Sequence, residues 1–177
     1  INSAATSRAF FLQLNFDNDL FQDKNIRSAI AMAIDKDGFV NVLLGGHGKV
    51  ANGPFPMQDG DSLNYSFSPD KSKELLSAAG WSDSDNDGYV DKDGKNFEIN
   101  FLTYPGRSEL PVLAQSIQSN LKDIGIKVNI NSTENYLEVM KDSKAWDILA
   151  SAMVTNPTGN KEYFFDMTSL TESPKNR

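Results

Sequence analysis

The 177-residue chain contains no cysteine, and its one histidine is His47. The absence of cysteine excludes disulfide bonds, zinc–thiolate sites and thiol catalysis. A single histidine, in the sequence GGHGK, leaves little basis for histidine-dependent metal or acid–base chemistry, and we expect His47 to be an exposed loop residue. No nucleophile can be matched with a base, so a hydrolase is the least favoured class and we expect no enzyme.

Basic residues are outnumbered, with 17 Lys and Arg against 24 Asp and Glu, which gives a net charge of −7. An acidic surface repels phosphate backbones, so nucleic acid is not an expected partner. No apolar run approaches the ~20 residues of a membrane-spanning helix. The hydrophobic content of 39% is sufficient for one domain with its own core.

Apolar residues recur at regular spacing along most of the chain. Alternation predicts strands at 8–15, 95–103, 126–131 and 146–154. Helical spacing predicts helices at 24–35, 69–79, 109–124 and 134–142, and a short helix between Phe39 and Leu44. Asp23 and Ser68 are predicted N-caps. The β-α-β-α-β order of the second half predicts an α/β domain.

The carboxyl ends of the predicted strands are the expected ligand-binding edge of such a domain. These ends are TYPGRSE (103–109) and VTNPTGN (154–160). Arg107 follows Tyr104 just before a predicted helix, where an arginine and a helix N-terminus both favour an anion. The alternative for Arg107 is a surface ion pair with Glu109. Trp81 and Trp146 lie beside apolar segments and are expected in the core.

The sequence WSDSDNDGYVDKDG (81–94) concentrates aspartate around Gly88. Its spacing matches most of a calcium-binding EF-hand loop, but position 12, which should supply a bidentate carboxylate, is Gly94. A helix is predicted before the loop and a strand after it, which also departs from an EF-hand. Two interpretations remain open: a looser calcium loop and a solvated hairpin-like turn. The candidate metal ligands are Asp83, Asp85, Asp87 and Asp91.

Four segments in a fixed order resemble a known family. They are DKNIRSAIAMAIDKDGFV, GPFP, SPDKSKELLSAAGWSDSDNDGYVDKDGK and QSIQSNLKDIGIKVNI. Together they look like the C-terminal lobe of the extracytoplasmic solute-binding proteins of peptide/nickel ABC importers, known as family 5. LTYPGRSELPVLAQSIQ and VTNPTGNKEYFF look closer to the nickel- or metallophore-binding branch than to the oligopeptide branch. The aspartate loop is similar to an acidic turn common in this family.

The resemblance implies a periplasmic-binding-protein-like II lobe, with a mixed sheet flanked by helices. Residues 1–177 would form a single α/β domain, the C-terminal ligand-binding lobe of a truncated two-lobed protein. The implied function is to capture nickel as an organic chelate and deliver it to a membrane permease, without a required cofactor. An oligopeptide-binding protein of the same family and a calcium-stapled interaction module are the alternatives. The full-length protein would be an extracytoplasmic monomer, periplasmic or lipid-anchored.

The resemblance also implies which residues face the ligand cleft. By position they come from the strand ends and from the segment after the last strand. Some relatives carry an aromatic residue near the VTNP turn, where this chain has Val154, and this leaves the identity of the ligand open. The implied ligand-binding residues are Tyr104, Arg107, Val154, Thr155, Asn156 and Thr158.

Overall fold

Four strands form one mixed sheet in the computed structural model, which describes residues 8–51, 53–55, 65–155 and 160–169. In the order of the sheet, the strands are β1 (Arg8–Leu14), β6 (Ile148–Val154), β4 (Glu98–Thr103) and β5 (Lys127–Ser132). Strand β4 runs parallel to both β5 and β6, whereas β1 is antiparallel to β6. The mixed α/β architecture predicted from the sequence is therefore confirmed. A separate hairpin contains β2 (Asp91–Lys92) and β3 (Lys95–Asn96).

Helices cover the sheet and build the larger part of the core. Helix α4 buries Leu110, Leu113, Ala114, Ile117 and Leu121, the stripe that its sequence spacing predicts. These side chains belong to the same cluster as Phe97, Ile99 and Phe101 around β4. The helices are α1 (Lys24–Ala33), α2 (Lys36–Gly38), α3 (Pro69–Ala78), α4 (Glu109–Asp123), α5 (Tyr136–Val139) and α6 (Glu162–Ser169), with a 3-10 helix at Asp19–Gln22 and a π-helical turn at Phe39–Leu43.

Both tryptophans lie in the core, as expected. Trp146 is fully buried in a smaller cluster with Leu102, Met140 and Leu149, and its Nε1 donates a hydrogen bond to the Met140 carbonyl at 3.3 Å. The ring of Trp81 packs on that of Phe97 with centroids 4.5 Å apart. Indole rings contribute a large apolar area, and the buried N–H of Trp146 has the partner that such a group requires.

Both predicted N-caps, Asp23 and Ser68, stand at the N-cap positions of their helices, but only Asp23 caps through its side chain. Asp23 accepts the backbone N–H of Asn25 at 2.7 Å and caps α1. The side chain of Ser68 makes no capping bond to α3. Its backbone instead joins the two helices, because Ser68 N donates to the Met32 carbonyl at 2.8 Å. Ser72 Oγ reaches the carbonyls of Ala29 and Ser68, so a different serine connects α3 to α1.

Several element boundaries differ from the sequence prediction. The predicted strand 95–103 is divided, because Lys95 and Asn96 pair with the hairpin strand β2 and not with the main sheet. The turn residues Asp93 and Gly94 have φ values of 53° and 73°. Positive φ at both central positions is typical of a tight two-residue hairpin turn. Helix α5 is shorter than the predicted 134–142, and β6 starts two residues after Trp146.

The sheet brings the candidate ligand-binding segments to one edge. Because β4 and β6 are parallel, their carboxyl ends at Thr103 and Val154 point the same way. Asp147 fixes the opposite end of β6. Its carboxylate accepts the Asn100 backbone N–H and the Asn18 side-chain amide, both at 2.6 Å.

Candidate functional site

Tyr104 follows directly after the last residue of β4 and fills the space between the ends of β4 and β6. Its hydroxyl accepts the backbone N–H of Ala152 at 3.2 Å and donates to the Ala152 carbonyl at 3.4 Å. Strand β6 pairs with β4 only at Ile148 and Leu149. The N–H and carbonyl of Ala152 lie beyond this pairing, and the Tyr104 hydroxyl satisfies them. The hydroxyl thus forms its hydrogen bonds within the protein, and these bonds hold the half-buried ring in position.

Tyr136, the first residue of α5, stacks on Tyr104. The ring centroids are 4.4 Å apart and the planes are inclined by only 21°. Burial raises the pKa of the Tyr136 phenol above its ordinary value of 10.0, and the neighbouring Tyr104 adds to the shift. The two rings, which we name the tyrosine ledge, form an aromatic surface beside the strand ends. Tyr136 was not among the predicted site residues, although an aromatic residue in the connection leaving β5 was an available signal.

Arg107 is exposed on the loop between β4 and α4. Within the described ranges, no carboxylate lies within ion-pair distance of its guanidinium. The predicted alternative, a pair with Glu109, is not formed. Glu109 Oε2 instead accepts the Ser108 hydroxyl at 3.2 Å. The guanidinium therefore remains available for a carboxylate that approaches from outside the domain.

Gly106 separates the tyrosine ledge from a second charged residue, Glu134. A Cβ atom at Gly106 would lie 3.7 Å from Tyr104 Cδ2 and 3.9 Å from Glu134 Oε2. The carboxylate of Glu134 therefore lies at the same edge of the sheet as Tyr104 and Arg107. Glu134 was not among the predicted site residues, since it belongs to the segment that follows β5.

The other predicted ligand-binding residues have different placements. Val154 ends β6, pairs with Arg8 of β1 and is half-buried. Thr155 is completely buried, so its side chain offers no surface in this conformation. Asn156 and Thr158 lie outside the described residues. The structure thus brings Tyr104 and Arg107 together at the predicted edge, and it adds Tyr136 and Glu134.

The aspartate loop gathers three of its four candidate ligands. One carboxylate oxygen from each of Asp83, Asp85 and Asp91 lies within 4.8 Å of the other two. Asp87 is not in this group, and its carboxylate accepts the Tyr89 N–H at 2.8 Å and the Asn96 amide at 2.9 Å.

Hydrogen bonds inside the loop explain its shape without an ion. Asp91 accepts both the backbone N–H and the hydroxyl of Ser84 at 2.8 Å, and these bonds, the backbone one foremost, lower its pKa. Asp83 accepts the Gly88 N–H at 3.1 Å. This arrangement agrees with the hairpin-like turn, in which aspartates bond to the amides of their own loop. The calcium site stays a prediction.

Two grooves lie away from the strand-end edge. One, of about 360 Å³, runs between α4 and β5 and is lined by Gln118, Lys122 and Val128 among others. The other, of about 350 Å³, lies beside Trp81 and the aspartate loop. Neither is lined by a predicted ligand-binding residue.

Within the described ranges, no helix combines the length and apolar character needed to cross a bilayer.

Relatives of known name match most of this chain. It is 34% identical over 151 residues to the oligopeptide-binding protein AppA of Bacillus subtilis, covering 81% of this chain and 28% of AppA. It is 32% identical over 143 residues to the nickel-binding protein NikA of Staphylococcus aureus, covering 81% of this chain and 28% of NikA. The chain therefore spans little more than a quarter of the length of these relatives.

Solved structures reproduce the same fold. A nickel ABC transporter protein of Bacillus halodurans superposes with a TM-score of 0.85 at 30% identity, covering 99% of this chain and 37% of that one. AppA of Bacillus subtilis in complex with a nonapeptide gives a TM-score of 0.76 at 28% identity, covering 92% of this chain and 35% of that one. The model of the bacterial extracellular solute-binding proteins, family 5 Middle, matches residues 1–175. The chain belongs to family 5 of the bacterial extracellular solute-binding proteins.

Proposed function

We propose that this chain is a ligand-binding lobe of the substrate-binding component of an ABC importer, and that its cargo is nickel held in an organic chelate. The observation that carries the proposal is the strand-end edge, where the tyrosine ledge lies near Arg107, which forms no ion pair with any residue that the structure describes. Two features supply what an organic ligand needs: an aromatic surface for its apolar part and a guanidinium for its carboxylate.

The composition of the chain supports a chelate over a bare ion. It has no cysteine, and its single histidine, His47, is exposed in a loop. Nickel favours nitrogen and sulfur ligands, which this lobe scarcely offers. A chelator would therefore supply the metal ligands, and the protein would contact the organic part. A similar structure, NikA of Staphylococcus aureus, is described in complex with Ni(L-His)2, at a TM-score of 0.81 and 26% identity.

An oligopeptide is the second candidate ligand. AppA, at 34% identity, is named an oligopeptide-binding protein, and its similar structure holds a nonapeptide. An extended peptide also presents carboxylates and apolar side chains to such an edge. The lobe has the same parts for either ligand, so the choice between them is a matter for binding experiments.

The proposed domain organisation is supported by the share of the relatives that this chain matches, 28% of both AppA and NikA. We propose one α/β domain over residues 1–177, acting as the C-terminal ligand-binding lobe of a two-lobed protein. Ligand would be enclosed when the second lobe closes on the strand-end edge, and the closed form would deliver it to a membrane permease. We further propose a monomer without a nucleic-acid partner or enzymatic activity, lipid-anchored or periplasmic.

A thermal-shift panel on the full-length protein tests this function. The panel contains nickel alone, nickel with L-histidine, short peptides with free termini, and calcium. A rise in melting temperature with nickel and histidine, absent with nickel alone, supports the chelate, since a ligand that binds the native state stabilises it. A rise with peptides alone selects the oligopeptide function. A rise with calcium alone would contradict both and favour the aspartate loop as the binding site.

A further inference from the structure

Aspartate–glycine pairs are places where a protein backbone can rearrange without an enzyme, and the described residues contain Asp37–Gly38, Asp87–Gly88 and Asp93–Gly94. In this reaction the glycine nitrogen attacks Cγ of the aspartate and closes a succinimide ring. Glycine favours the attack because it has no side chain to obstruct it and because its backbone rotates freely. Ring closure requires an aspartate carboxyl group that can turn and a glycine N–H that no other group holds.

Hydrogen bonds hold both reacting groups of Asp87–Gly88. The carboxylate accepts the Tyr89 N–H at 2.8 Å and the Asn96 amide at 2.9 Å. The Gly88 N–H donates to the Asp83 carboxylate at 3.1 Å. These bonds must open before the nitrogen can reach Cγ, so the fold protects this pair.

The pair Asp37–Gly38 is protected at its glycine. It lies in the short helix α2, and the Gly38 N–H donates to the Asp35 carboxylate at 2.8 Å. The nitrogen that would attack is therefore already engaged, and the helical backbone would have to open to release it.

Neither restraint applies to Asp93–Gly94. Both residues are exposed in the turn between β2 and β3. Within the part of the chain that the structure describes, neither the Asp93 carboxylate nor the Gly94 N–H forms a hydrogen bond. Their φ values of 53° and 73° belong to a tight turn, in which glycine allows the peptide group between the two residues to rotate.

We propose that Asp93–Gly94 is a site of spontaneous isomerisation of aspartate to isoaspartate. Gly94 N bonds to Asp93 Cγ, and the carboxyl OH leaves with the amide proton as water, which gives the succinimide. Water then adds to the ring carbon that was the main-chain carbonyl of Asp93, and the bond from that carbon to Gly94 N breaks. The chain now continues through Cβ and Cγ, the former main-chain carbonyl is a free carboxylate, and the mass is unchanged.

The product would loosen the hairpin and leave the main sheet in place. Strands β2 and β3 share only the residue pairs Asp91–Asn96 and Lys92–Lys95. An added backbone atom lengthens the two-residue loop that sets this register. The bond from Val90 N to the Gly125 carbonyl lies outside the turn, so we expect the change to be confined to residues 91–96.

Ageing of the full-length protein in water enriched in heavy oxygen tests the proposal, because each hydrolysed ring takes up oxygen from the solvent. Peptide mapping with a protease that cleaves before aspartate and not before isoaspartate locates the product. We expect labelled isoaspartate to form ~10-fold or more faster at Asp93 than at Asp87 or Asp37, because the other two pairs must first break hydrogen bonds. Mapping reads Asn52–Gly53 and Asp59–Gly60 separately, which lie wholly or partly outside the described residues.

Two variants and one condition serve as controls. Asp93→Glu keeps the charge and should abolish the reaction at this position, because the larger ring closes far more slowly. Asp83→Ala removes the acceptor of the Gly88 N–H and should raise the rate at Asp87 while the rate at Asp93 stays the same. In denaturant, the three described pairs should react at similar rates, because the protecting bonds are gone.

Faster amide exchange at residues 91–96 of the aged protein, together with labelled isoaspartate at Asp93, would support the inference. It is overturned if Asp93 stays unlabelled in the folded protein, or if Asp87 or Asp37 reacts as fast as Asp93. It is also overturned if the order of rates is the same in denaturant, since the neighbouring sequence and not the fold would then set the order.

Discussion

At the scale of single residues, Tyr104 contributes both to the fold and to the candidate site. Its hydroxyl bonds both backbone groups of Ala152, and its ring forms the inner part of the tyrosine ledge. Tyr136 completes the ledge, and no hydrogen bond of its hydroxyl is found within the described residues. The two phenols therefore differ in their contribution to the fold, since the Tyr104 hydroxyl bonds β6 and the Tyr136 hydroxyl bonds no other described residue.

Removal of the Tyr104 hydroxyl should cost stability without removing the aromatic surface. Tyr104→Phe leaves the Ala152 N–H and carbonyl without their partner, and we expect a loss of about 1 kcal/mol in the free energy of unfolding. Urea denaturation measures it. Tyr136→Phe is the control and should change stability by less than about 0.5 kcal/mol. Equal losses in the two variants would contradict this difference between the two phenols.

Glu134 and Tyr136 show why the site could be predicted only in part. Tyr104 and Arg107 follow an alternating segment and precede a periodic one, so local sequence indicated a strand end. Glu134 and Tyr136 are about thirty residues away, and only the parallel pairing of β4 with β5 brings them to the same edge. Single-sequence patterns carry local periodicity and not the partners of a strand.

At the scale of elements, the hairpin and the aspartate loop are anchored to the main domain through Gly125. Val90 N donates to the Gly125 carbonyl at 2.8 Å, and Phe97 N donates to the Val90 carbonyl at 2.8 Å. Gly125 has a φ of +81°, and a Cβ atom there would lie 3.0 Å from Val90 Cγ1 and 3.1 Å from Val90 N. The backbone conformation and the close approach both require glycine.

Gly125→Ala should therefore destabilise the protein by about 2 kcal/mol or more, of which roughly 1–2 kcal/mol is the cost of the left-handed backbone. Chemical denaturation measures the loss in free energy of unfolding for Gly125→Ala and for a control variant, Gly88→Ala. Gly88 has a φ of +90° but nothing within 4 Å of the added carbon, so only the backbone cost applies there. A loss at Gly125 no larger than at Gly88 would show that the contact with Val90 is unimportant.

The ion pair between β4 and β5 gives a pH dependence of defined sign. The hydrogen bond from Lys127 lowers the pKa of Glu98 below its ordinary 4.5, and the hydrogen bond from Glu98 raises the pKa of Lys127 above 10.5. Because the folded protein has a lowered pKa for Glu98, this residue's contribution to the free energy of unfolding is present above pH 4.5. It is lost as the pH falls through the pKa of the folded state. Because the folded protein has a raised pKa for Lys127, this residue's contribution to the free energy of unfolding is present below pH 10.5. It is lost as the pH rises through the pKa of the folded state.

Because both side chains are more than a third exposed, solvent screens the pair, and its contribution to the free energy of unfolding should be small. A double-mutant cycle of Glu98→Gln and Lys127→Met checks this. The coupling energy between the two side chains should be stabilising at pH 7 and should disappear at acidic pH. A coupling that persists after Glu98 is protonated would show that the contact is not electrostatic.

Elements with strong internal periodicity were the ones that could be predicted. The apolar stripe of α4 and the alternation in β4 each point to one buried face, and the structure has them as expected. The capping role of Ser68 and the length of α5 depended on contacts with other parts of the chain. Ser68 uses its backbone to bond α1, an interaction that no local pattern reveals.

At the scale of the whole molecule, the sheet places Tyr104 and Arg107, after β4, and Glu134 and Tyr136, after β5, at one edge. The antiparallel strand β1 pairs with β6 over its full length, from Arg8 to Leu14. This pairing between the first described strand and the last was not predicted, because the two are separated by more than a hundred residues. The edge itself was predicted, since parallel strands with helical crossovers align their carboxyl ends.

We propose that ligand binds at this edge and not at either groove or the aspartate loop. Amide hydrogen exchange of the full-length protein, with and without nickel–histidine or a short peptide, tests it most directly. We expect slower exchange at residues 104–110 and 133–140 when ligand is added, because the enclosed backbone opens less often. Unchanged exchange there, with slowing confined to residues 83–91 or to the groove between α4 and β5, would contradict it.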